Sequence, residues 1–357
     1  MLVEALGSAG RAVSSRGGAL PVLAGIRAEL VGDELRLTGS DTDLTIHVSV
    51  QVSGESDGVT VLPGRLAGEI VRALPPGAVV VDIGEDEANI TSGRAEFAIR
   101  VLPAEEYPRL TEPAGEPVTL DSAELATALK QVVPAASADD ARPILTGVLV
   151  AAESGGLRLV ATDSYRLAVR DLPGADILAE GQHVLVPSRA LAELSRALGG
   201  GIGSVEIRLG EHDASFAVGN LRLTTRLIEG DFPNYRGLIP SSYPNLMTVG
   251  REALLDALRR VKLMAREAVP VRLVMRPEGL ELVAITQDVG QAHEEVDAKF
   301  EGNELTVAFN ADYLLNGVEV TPGDEVVIAT LDALKPAVLR STEGDDFLYL
   351  LMPVRVS

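Results

Sequence analysis

The sequence predicts an α+β protein built from three consecutive copies of one module. Three observations lead to this prediction. The 357 residues exceed what one ordinary hydrophobic core can organise. Several landmarks recur three times in the same order, and each copy shows the periodicity of a helix, then strands, then a second helix and further strands.

Four landmarks define the repeat. The segment VTVLPGRLAGEIVRAL at 59–74 returns as HVLVPSRALAELSRAL at 183–198 and, more weakly, as LTVAFNADYLLNGVEV at 305–320. The three copies of the second landmark are LRLTGSDTDLTIHVSV, LRLVATDSYRLAVRDL and LELVAITQDVGQAHEEVD. Those of the third are RAEFAIR, NLRLTTR and FLYLLMPVRVS. Those of the fourth are PVLAGIRAEL, PILTGVLVAAE and PVRLVMRPEG. Chance is a poor explanation for four landmarks that share one period and one order.

Each module begins with a helix, which apolar residues at three- and four-residue spacing predict. These first helices are predicted over 2–15, 122–133 and 251–264. The strand segments alternate instead, as where Leu221 and Leu223 share one face and Arg222 takes the other. Each module is therefore predicted to be a sheet layer with two helices on one side.

Clusters of Pro, Gly, Ser and polar residues near 112–117 and 241–245 predict the linkers between modules. The predicted domains are residues 1–115, 116–243 and 244–357. Three such modules in a row form an arc with helices inside and sheets outside. A second copy joined head to tail would complete a six-domain ring, because a heterologous contact ends growth only when its rotation closes.

The composition restricts the function. A formal net charge of −21 argues against a protein that grips nucleic acid over its whole surface, because Lys and Arg supply most non-specific affinity. DNA binding then requires basic side chains concentrated on one internal surface. The absence of cysteine excludes disulfides and thiolate metal sites. With no leader and no long apolar run, a cytoplasmic protein without a cofactor is expected.

The motifs of an enzyme are missing. The four histidines show no metal-ligand spacing, and no phosphate-binding GxxxxGK[ST] is present. The run GGGIG at 199–203 reads as a loop that ends a helix. Asp41 and Asp43 suggest a metal, but a polar strand edge is the favoured interpretation. The sequence therefore predicts a protein without catalysis.

The runs ARPILTGVL, ATDSYRLAV, LIEGDFPNYRGLIP and LLMPVRV carry a resemblance to a known family. They resemble the signature stretches of the bacterial DNA sliding clamp, the beta subunit of DNA polymerase III, and the resemblance covers all three modules. It implies a homodimeric ring around duplex DNA that holds replication and repair enzymes on their template. The implied partners are the DNA polymerase III alpha subunit, the clamp loader, other DNA polymerases, ligase and mismatch-repair proteins, at the nucleoid.

The repeat predicts which residues face DNA. Arg65 and Arg72 lie seven residues apart on the second helix of module 1, and Arg189 and Arg196 occupy the same register in module 2. Any one of these arginines could equally belong to an ordinary solvated helix face, but recurrence in register favours a shared role. The full set of DNA-facing candidates is Arg11, Arg16, Arg65, Arg72, Arg142, Arg189, Arg196, Arg259 and Arg260.

The resemblance also implies a groove for short client peptides between modules 2 and 3. Its residues would be Leu145, Thr162, Tyr165, Arg166, Leu167, Pro233, Leu238, Asn310, Tyr313, Leu350, Met352, Pro353, Val354 and Arg355. Aliphatic walls with a flexible methionine suit a promiscuous apolar anchor. The competing interpretation is that Leu145, Leu167 and Leu350 simply belong to the core.

For the joint between subunits we expect Phe97 and Ile99 of module 1 to meet Leu263 of the partner's module 3, with Glu294 and Glu295 nearby. Two alternatives stay open. One is a divergent clamp paralogue whose altered pocket tolerates an inhibitor. The other is a monomeric peptide-binding adaptor that never encloses DNA.

Overall fold

The structure is a computed structural model that describes residues 1–14, 20–108, 116–153, 155–175, 177–199, 203–265 and 269–355. The chain divides into two compact units. The N-terminal unit comprises Met1–Ala123 and Arg189–Leu227, and the C-terminal unit comprises Glu124–Ser188 and Ile228–Ser357. All three boundaries between these segments fall inside the central repeat, because some of its strands continue a sheet of module 1 and the others continue a sheet of module 3.

Among the described residues, each module contains two α-helices, as the repeat predicts. They are α1 Leu2–Gly10, α2 Gly64–Ala73, α3 Ser122–Val132, α4 Ser188–Leu198, α5 Arg251–Lys262 and α6 Ala311–Val320. In the N-terminal unit α1 packs against α2, and in the C-terminal unit α5 packs against α6. Their apolar faces lie on the sheets, as for α1 on β2 and β3, which span Glu34–Ser40 and Leu44–Gln51.

The first helix is shorter than the periodicity predicts. The expectation of a helix over 2–15 was wrong for residues 11–14, where the amides of Arg11 and Ala12 donate to carbonyls only three residues back. Glycine weakens a helix, and Gly10 ends this one. The Ser14 amide then donates to the Leu23 carbonyl oxygen at 3.1 Å, which ties the turn to the next segment.

The strands of the N-terminal unit form two antiparallel sheets. Besides β2 and β3, its strands are β1 Gly25–Val31, β4 Gly58–Pro63, β5 Val80–Ile83, β6 Glu87–Ser92, β7 Ala95–Arg100, β8 Val118–Asp121, β13 Ser204–Leu209, β14 Asp213–Val218 and β15 Leu221–Arg226. Eight of them form the order β4-β1-β2-β3-β15-β14-β13-β8, and the other three form β5-β6-β7.

The C-terminal unit also holds two sheets. Its strands are β9 Gly147–Glu153, β10 Gly156–Thr162, β11 Arg166–Pro173, β12 His183–Pro187, β16 Asn245–Gly250, β17 Val271–Arg276, β18 Gly279–Thr286, β19 Gly290–Val296, β20 Ala298–Glu301, β21 Leu305–Phe309, β22 Glu325–Thr330, β23 Ala337–Ser341 and β24 Phe347–Leu351. The orders are β12-β9-β10-β11-β24-β23-β22-β16-β20 and β19-β18-β17-β21.

One strand pairing recurs at each junction between modules. The strand β3 of module 1 pairs antiparallel with β15 of module 2, and β11 of module 2 pairs antiparallel with β24 of module 3. An equivalent backbone hydrogen bond follows the joining strand in each copy, which fixes the alignment of the copies. These bonds run from Leu102 N to Val61 O, from Ile228 N to Leu185 O and from Val354 N to Ala308 O, at 2.9, 2.9 and 2.8 Å.

The two strands at the ends of this series have one neighbour each in the described residues. By the same alignment β7 is the counterpart of β15 and β24, and β19 is the counterpart of β3 and β11. Yet β7 pairs only with β6, and β19 only with β18. Each therefore presents a row of unpaired backbone donors and acceptors, which can form hydrogen bonds with a further strand.

The cores are aliphatic, with few aromatic side chains. The largest fully buried side chains include Tyr349, Phe309 and Phe347 in the C-terminal unit and Ile26 and Leu37 in the N-terminal unit. Across the described ranges, no helix combines the length and the apolar character needed to cross a membrane.

Candidate functional surfaces

The predicted groove residues all lie in the C-terminal unit. The pairing of β11 with β24 places Leu167 opposite Leu350 and Arg166 opposite Leu351. Beyond the end of β24, the Met352 amide donates to the Tyr165 carbonyl oxygen at 2.9 Å. The segment after β24 is thereby fixed beside the turn that precedes β11.

That turn is built by an aspartate that the prediction did not include. Asp163 accepts hydrogen bonds through Oδ1 from the amides of Tyr165 and Arg166, at 2.9 and 3.0 Å. The hydroxyl of Thr162 donates to the Arg166 carbonyl oxygen, and Ser164 has a φ of 81°. This geometry projects Tyr165 outward, where 60% of it is exposed.

Arg166 links the turn to two tyrosines. The Arg166 guanidinium donates to Asp163 Oδ2 at 3.0 Å and to the Tyr349 hydroxyl at 3.3 Å, and it stacks 4.3 Å from the centre of the Tyr313 ring. Burial raises the pKa of Tyr349 to about 12. Burial alone would lower the pKa of Arg166, but its interactions with Tyr349 and Asp163 outweigh this and raise it. Arg166 is therefore a fixed cation with one aromatic face.

Burial divides the predicted groove into two layers. Leu167 and Leu350 belong to the hydrophobic core, and Leu145 and Thr162 are also buried. Among the others, four large apolar side chains stay substantially exposed, from 37% to 60%. These are Tyr165, Leu238, Met352 and Val354. The buried residues agree with the competing interpretation that part of this set belongs to the core. The exposed residues are the ones accessible to a ligand.

The remaining groove residues have structural contacts of their own. Asn310 caps α6, because its side-chain oxygen accepts from the amides of Asp312 and Tyr313 at 2.9 and 3.1 Å. Pro233 lies in the segment before the short 3-10 helix Arg236–Leu238, while Pro353 and Arg355 lie in the segment that follows β24.

Two further contributors, Asp163 and Tyr349, escaped the sequence prediction. A usable signal existed for Asp163, since Asp41 occupies the same position of the repeat and caps the turn between β2 and β3 in the same way. That turn also accounts for Asp41 without a metal. No group of three or more metal-ligating side chains with suitable spacing is found among the residues that the structure describes.

The candidate DNA-facing arginines that the structure describes in the N-terminal unit lie on or just after helices. Arg65 and Arg72 lie on α2, Arg189 and Arg196 on α4, and Arg11 directly follows α1. Most make ion pairs within the unit: Arg65 with Glu69 at 2.8 Å, Arg11 with Glu193 at 2.8 Å, Arg196 with Glu193, and Arg189 with Asp41. Arg16 lies outside the described residues.

In the C-terminal unit three candidates are described. Arg142 pairs with Asp139 at 2.9 Å, and Arg259 lies 3.4 Å from Asp256. Arg260 donates two hydrogen bonds to Glu294, at 2.7 and 3.0 Å, and this contact lowers the pKa of Glu294. The structure thus joins a predicted DNA-facing residue to a predicted joint residue.

The other joint candidates lie at the two free strands or close to them. Phe97 and Ile99 are on β7, Glu294 and Glu295 are on β19, and Leu263 directly follows α5. Phe97 is 39% exposed and Leu263 is 70% exposed, whereas Ile99 is buried. Exposed apolar side chains beside an unpaired strand are typical of an interface.

Three modules, each with two α-helices and antiparallel strands, and a strand junction that recurs between neighbouring modules, define the class of the DNA clamps. The family models of the DNA polymerase III beta subunit match the chain as N-terminal domain over 1–111, central domain over 119–234 and C-terminal domain over 236–355. The chain belongs to this family. Its members are sliding clamps, which serve DNA replication as processivity factors and do not catalyse a reaction.

Similar proteins support the assignment along the whole chain. The beta sliding clamp of Streptomyces coelicolor is 35% identical over 372 aligned positions, which cover 100% of this chain and 98% of that protein. The beta sliding clamp of Staphylococcus aureus is 32% identical and covers 94% of this chain. The crystal structure of the DNA polymerase sliding clamp from Bacillus subtilis superposes with a TM-score of 0.89 at 32% identity, and it covers all of this chain.

Proposed function

We propose that two copies of this chain join head to tail into a closed ring around duplex DNA, with β19 of each copy paired to β7 of the other. The exposure of Phe97 carries this proposal. Its counterparts in the two junctions within the chain, Leu223 and Tyr349, are 0% and 1% exposed. Phe97 is 39% exposed because the strand that would cover it is missing from a single copy.

The internal junctions also predict the register of the joint between copies. Leu167 lies opposite Leu350 in one junction, and Thr45 lies opposite Thr224 in the other. Carried over to β19 and β7, the same register sets Gln291 opposite Ala98 of the partner subunit. Ala292 then lies opposite Phe97, at the position where Ala168 faces Tyr349.

Cysteine cross-linking tests this register, because the chain has no cysteine of its own. Directly opposite residues in antiparallel strands lie within the Cα separation of a disulfide, about 4.5 to 5.5 Å. We expect Ala98→Cys with Gln291→Cys to give a covalent dimer under mild oxidation. The control is Ala98→Cys with Glu295→Cys, displaced by about 13 Å in this register.

Either of two results would count against the proposed joint. One is equal cross-linking by both pairs. The other is a monomer mass for the native chain by light scattering at micromolar concentration, which would favour the adaptor instead. Selective cross-linking of the first pair, to a product of twice the chain mass, supports the ring.

Within such a ring the helix arginines supply weak, sequence-blind phosphate contacts that reform as DNA moves. We assign this role to Arg11, Arg65, Arg72, Arg142, Arg189, Arg196, Arg259 and Arg260, and we keep Arg16 in the set from the sequence alone. Topological enclosure gives the ring its residence time on DNA, so the net negative charge of the chain does not prevent this role. The expected location is the cytoplasm, at the nucleoid.

The exposed layer of the groove is proposed to bind short peptides of client enzymes. Met352, Leu238 and Val354 offer apolar contacts, and the buried pair of Arg166 with Asp163 fixes the turn beside them. A site of this small area predicts affinities of about micromolar, which permits exchange of clients. The proposed clients are the DNA polymerase III alpha subunit, the clamp loader, other DNA polymerases, ligase and mismatch-repair proteins.

A further inference from the structure

An alternating cluster of charges joins three elements of the N-terminal unit. Glu193 on α4 pairs with Arg196 of the same helix and, at 2.8 Å, with Arg11 at the end of α1. Asp41, in the turn between β2 and β3, pairs with Arg189. Three arginines and two carboxylates therefore form one connected set, in which Arg189 also donates to the Arg11 carbonyl oxygen at 3.3 Å.

The carboxylates of this cluster are fixed and the guanidinium groups are accessible. The side chains of Glu193 and Asp41 are 11% and 16% exposed, while those of the three arginines are 40% to 59% exposed. Asp41 is held in place because its other oxygen accepts from the amides of Asp43 and Leu44. The Glu193 oxygen next to Arg11 has no hydrogen bond, so that contact is electrostatic only.

The equivalent position in module 1 holds an ion pair that is exposed to solvent. Glu69 on α2 is the counterpart of Glu193, and it pairs with Arg65 on the same helix. There the side chains are 53% and 91% exposed, and such a solvated pair contributes little and exchanges readily. The burial of the acid, rather than its presence, distinguishes α4 from α2.

We propose that Glu193 and Asp41 act as built-in counterions that compete with DNA phosphate for Arg11, Arg189 and Arg196, and so keep the contact with DNA weak. A phosphate that approaches these arginines meets cations that are already neutralised by anions that cannot leave. The contact then adds little affinity and can be released easily as the ring moves. This inference rests on the proposed function, because it concerns the strength of the same contacts.

The test replaces the carboxylates by amides of the same shape. Glu193→Gln and Asp41→Asn, alone and together, keep the side-chain oxygens that accept hydrogen bonds and remove the charge. Glu206→Gln is the matched control, because Glu206 pairs with Arg208 on β13, away from the cluster, and its loss changes the net charge equally. Binding to a short linear duplex is measured by fluorescence anisotropy at several salt concentrations, with thermal unfolding followed in parallel.

We expect each single variant to bind linear duplex about threefold more tightly at low salt, and the double variant about tenfold more tightly. The slope of log affinity against log salt should steepen by about 0.9 for each arginine that newly meets a phosphate. Glu206→Gln should match the native protein in both. A purely structural role would lower the melting temperature without steepening the slope.

Unchanged affinity and slope in the double variant, or equal changes in Glu206→Gln, would overturn the inference. The proposed function is judged separately by retention of the native protein on a circular DNA after loading. A native ring that stays on the circle while the variants show no change in slope refutes only the counterion role.

Discussion

At the scale of single residues, the arginines of α4 show both the reach and the limit of the sequence. Their spacing of seven and their recurrence from α2 place Arg189 and Arg196 on one helix face, and the structure puts both on exposed positions of α4. The partner of Arg189 was not predictable. Asp41 is 148 residues from Arg189 in the chain, so only the tertiary fold brings the two together.

Reversal of these charges tests their role directly. Arg189→Glu with Arg196→Glu sets new carboxylates beside Asp41 and Glu193, so the face repels phosphate as well as losing its cations. We expect product length in a primer-extension assay to fall by about tenfold, with the dimer mass unchanged.

The matched control for charge is Arg36→Glu with Arg208→Glu, which reverses two strand arginines that pair with Glu34 and Glu206. It should extend primers as the native protein does. Normal product length in the helix variant would refute a role of Arg189 and Arg196 in contact with DNA.

At the scale of secondary-structure elements, periodicity predicted each α-helix of the described ranges but not every helix end. The helix α1 stops at Gly10 because glycine weakens it and because the Ser14 amide is bonded to Leu23. The spacing of apolar residues reports neither effect. The pairing of strands between modules could likewise not be predicted from the local sequence pattern. The junctions β3 with β15 and β11 with β24 join strands that are far apart in sequence.

The same limit applies to the groove. The repeat and the resemblance singled out the segment after β24, but they could not separate Leu167 and Leu350, which are core, from Tyr165 and Met352, which are exposed. Side-chain exposure depends on what packs above a strand, and the sequence alone does not reveal it.

The segment after β24 offers a test at this scale. Deletion of residues 352–357 removes the bonds from Met352 to Tyr165 and from Val354 to Ala308, but it leaves β24 intact, since that strand ends at Leu351. We expect binding of a fluorescein-labelled client-polymerase peptide to weaken at least tenfold by fluorescence polarisation, because an apolar wall and its backbone are lost.

Leu334→Ser serves as the control, because Leu334 is an exposed apolar residue of the same unit that lies outside the groove. It should retain native peptide affinity. Equal affinity of the truncated and native chains would count against the groove assignment.

At the scale of the whole molecule, the net negative charge of the chain must be reconciled with a role on DNA. A net charge of −21 opposes tight electrostatic binding of duplex DNA by the surface as a whole. In the proposed ring, enclosure of DNA takes the place of high affinity, and the free strands β7 and β19 are the ends that we propose to join. The sequence predicted three modules and named joint residues that lie on β7 and β19, while the edge position of these two strands emerged only from the sheet order of the described residues.

The most direct measurement compares the retention of the protein on closed and on opened DNA. Labelled protein is loaded onto a nicked circular plasmid with clamp loader and ATP, and half of the sample is then cut once with a restriction enzyme. We expect retention on the circle and rapid loss from the linear form, because a ring slides off free ends. Equal loss from both forms would contradict enclosure of DNA by this chain.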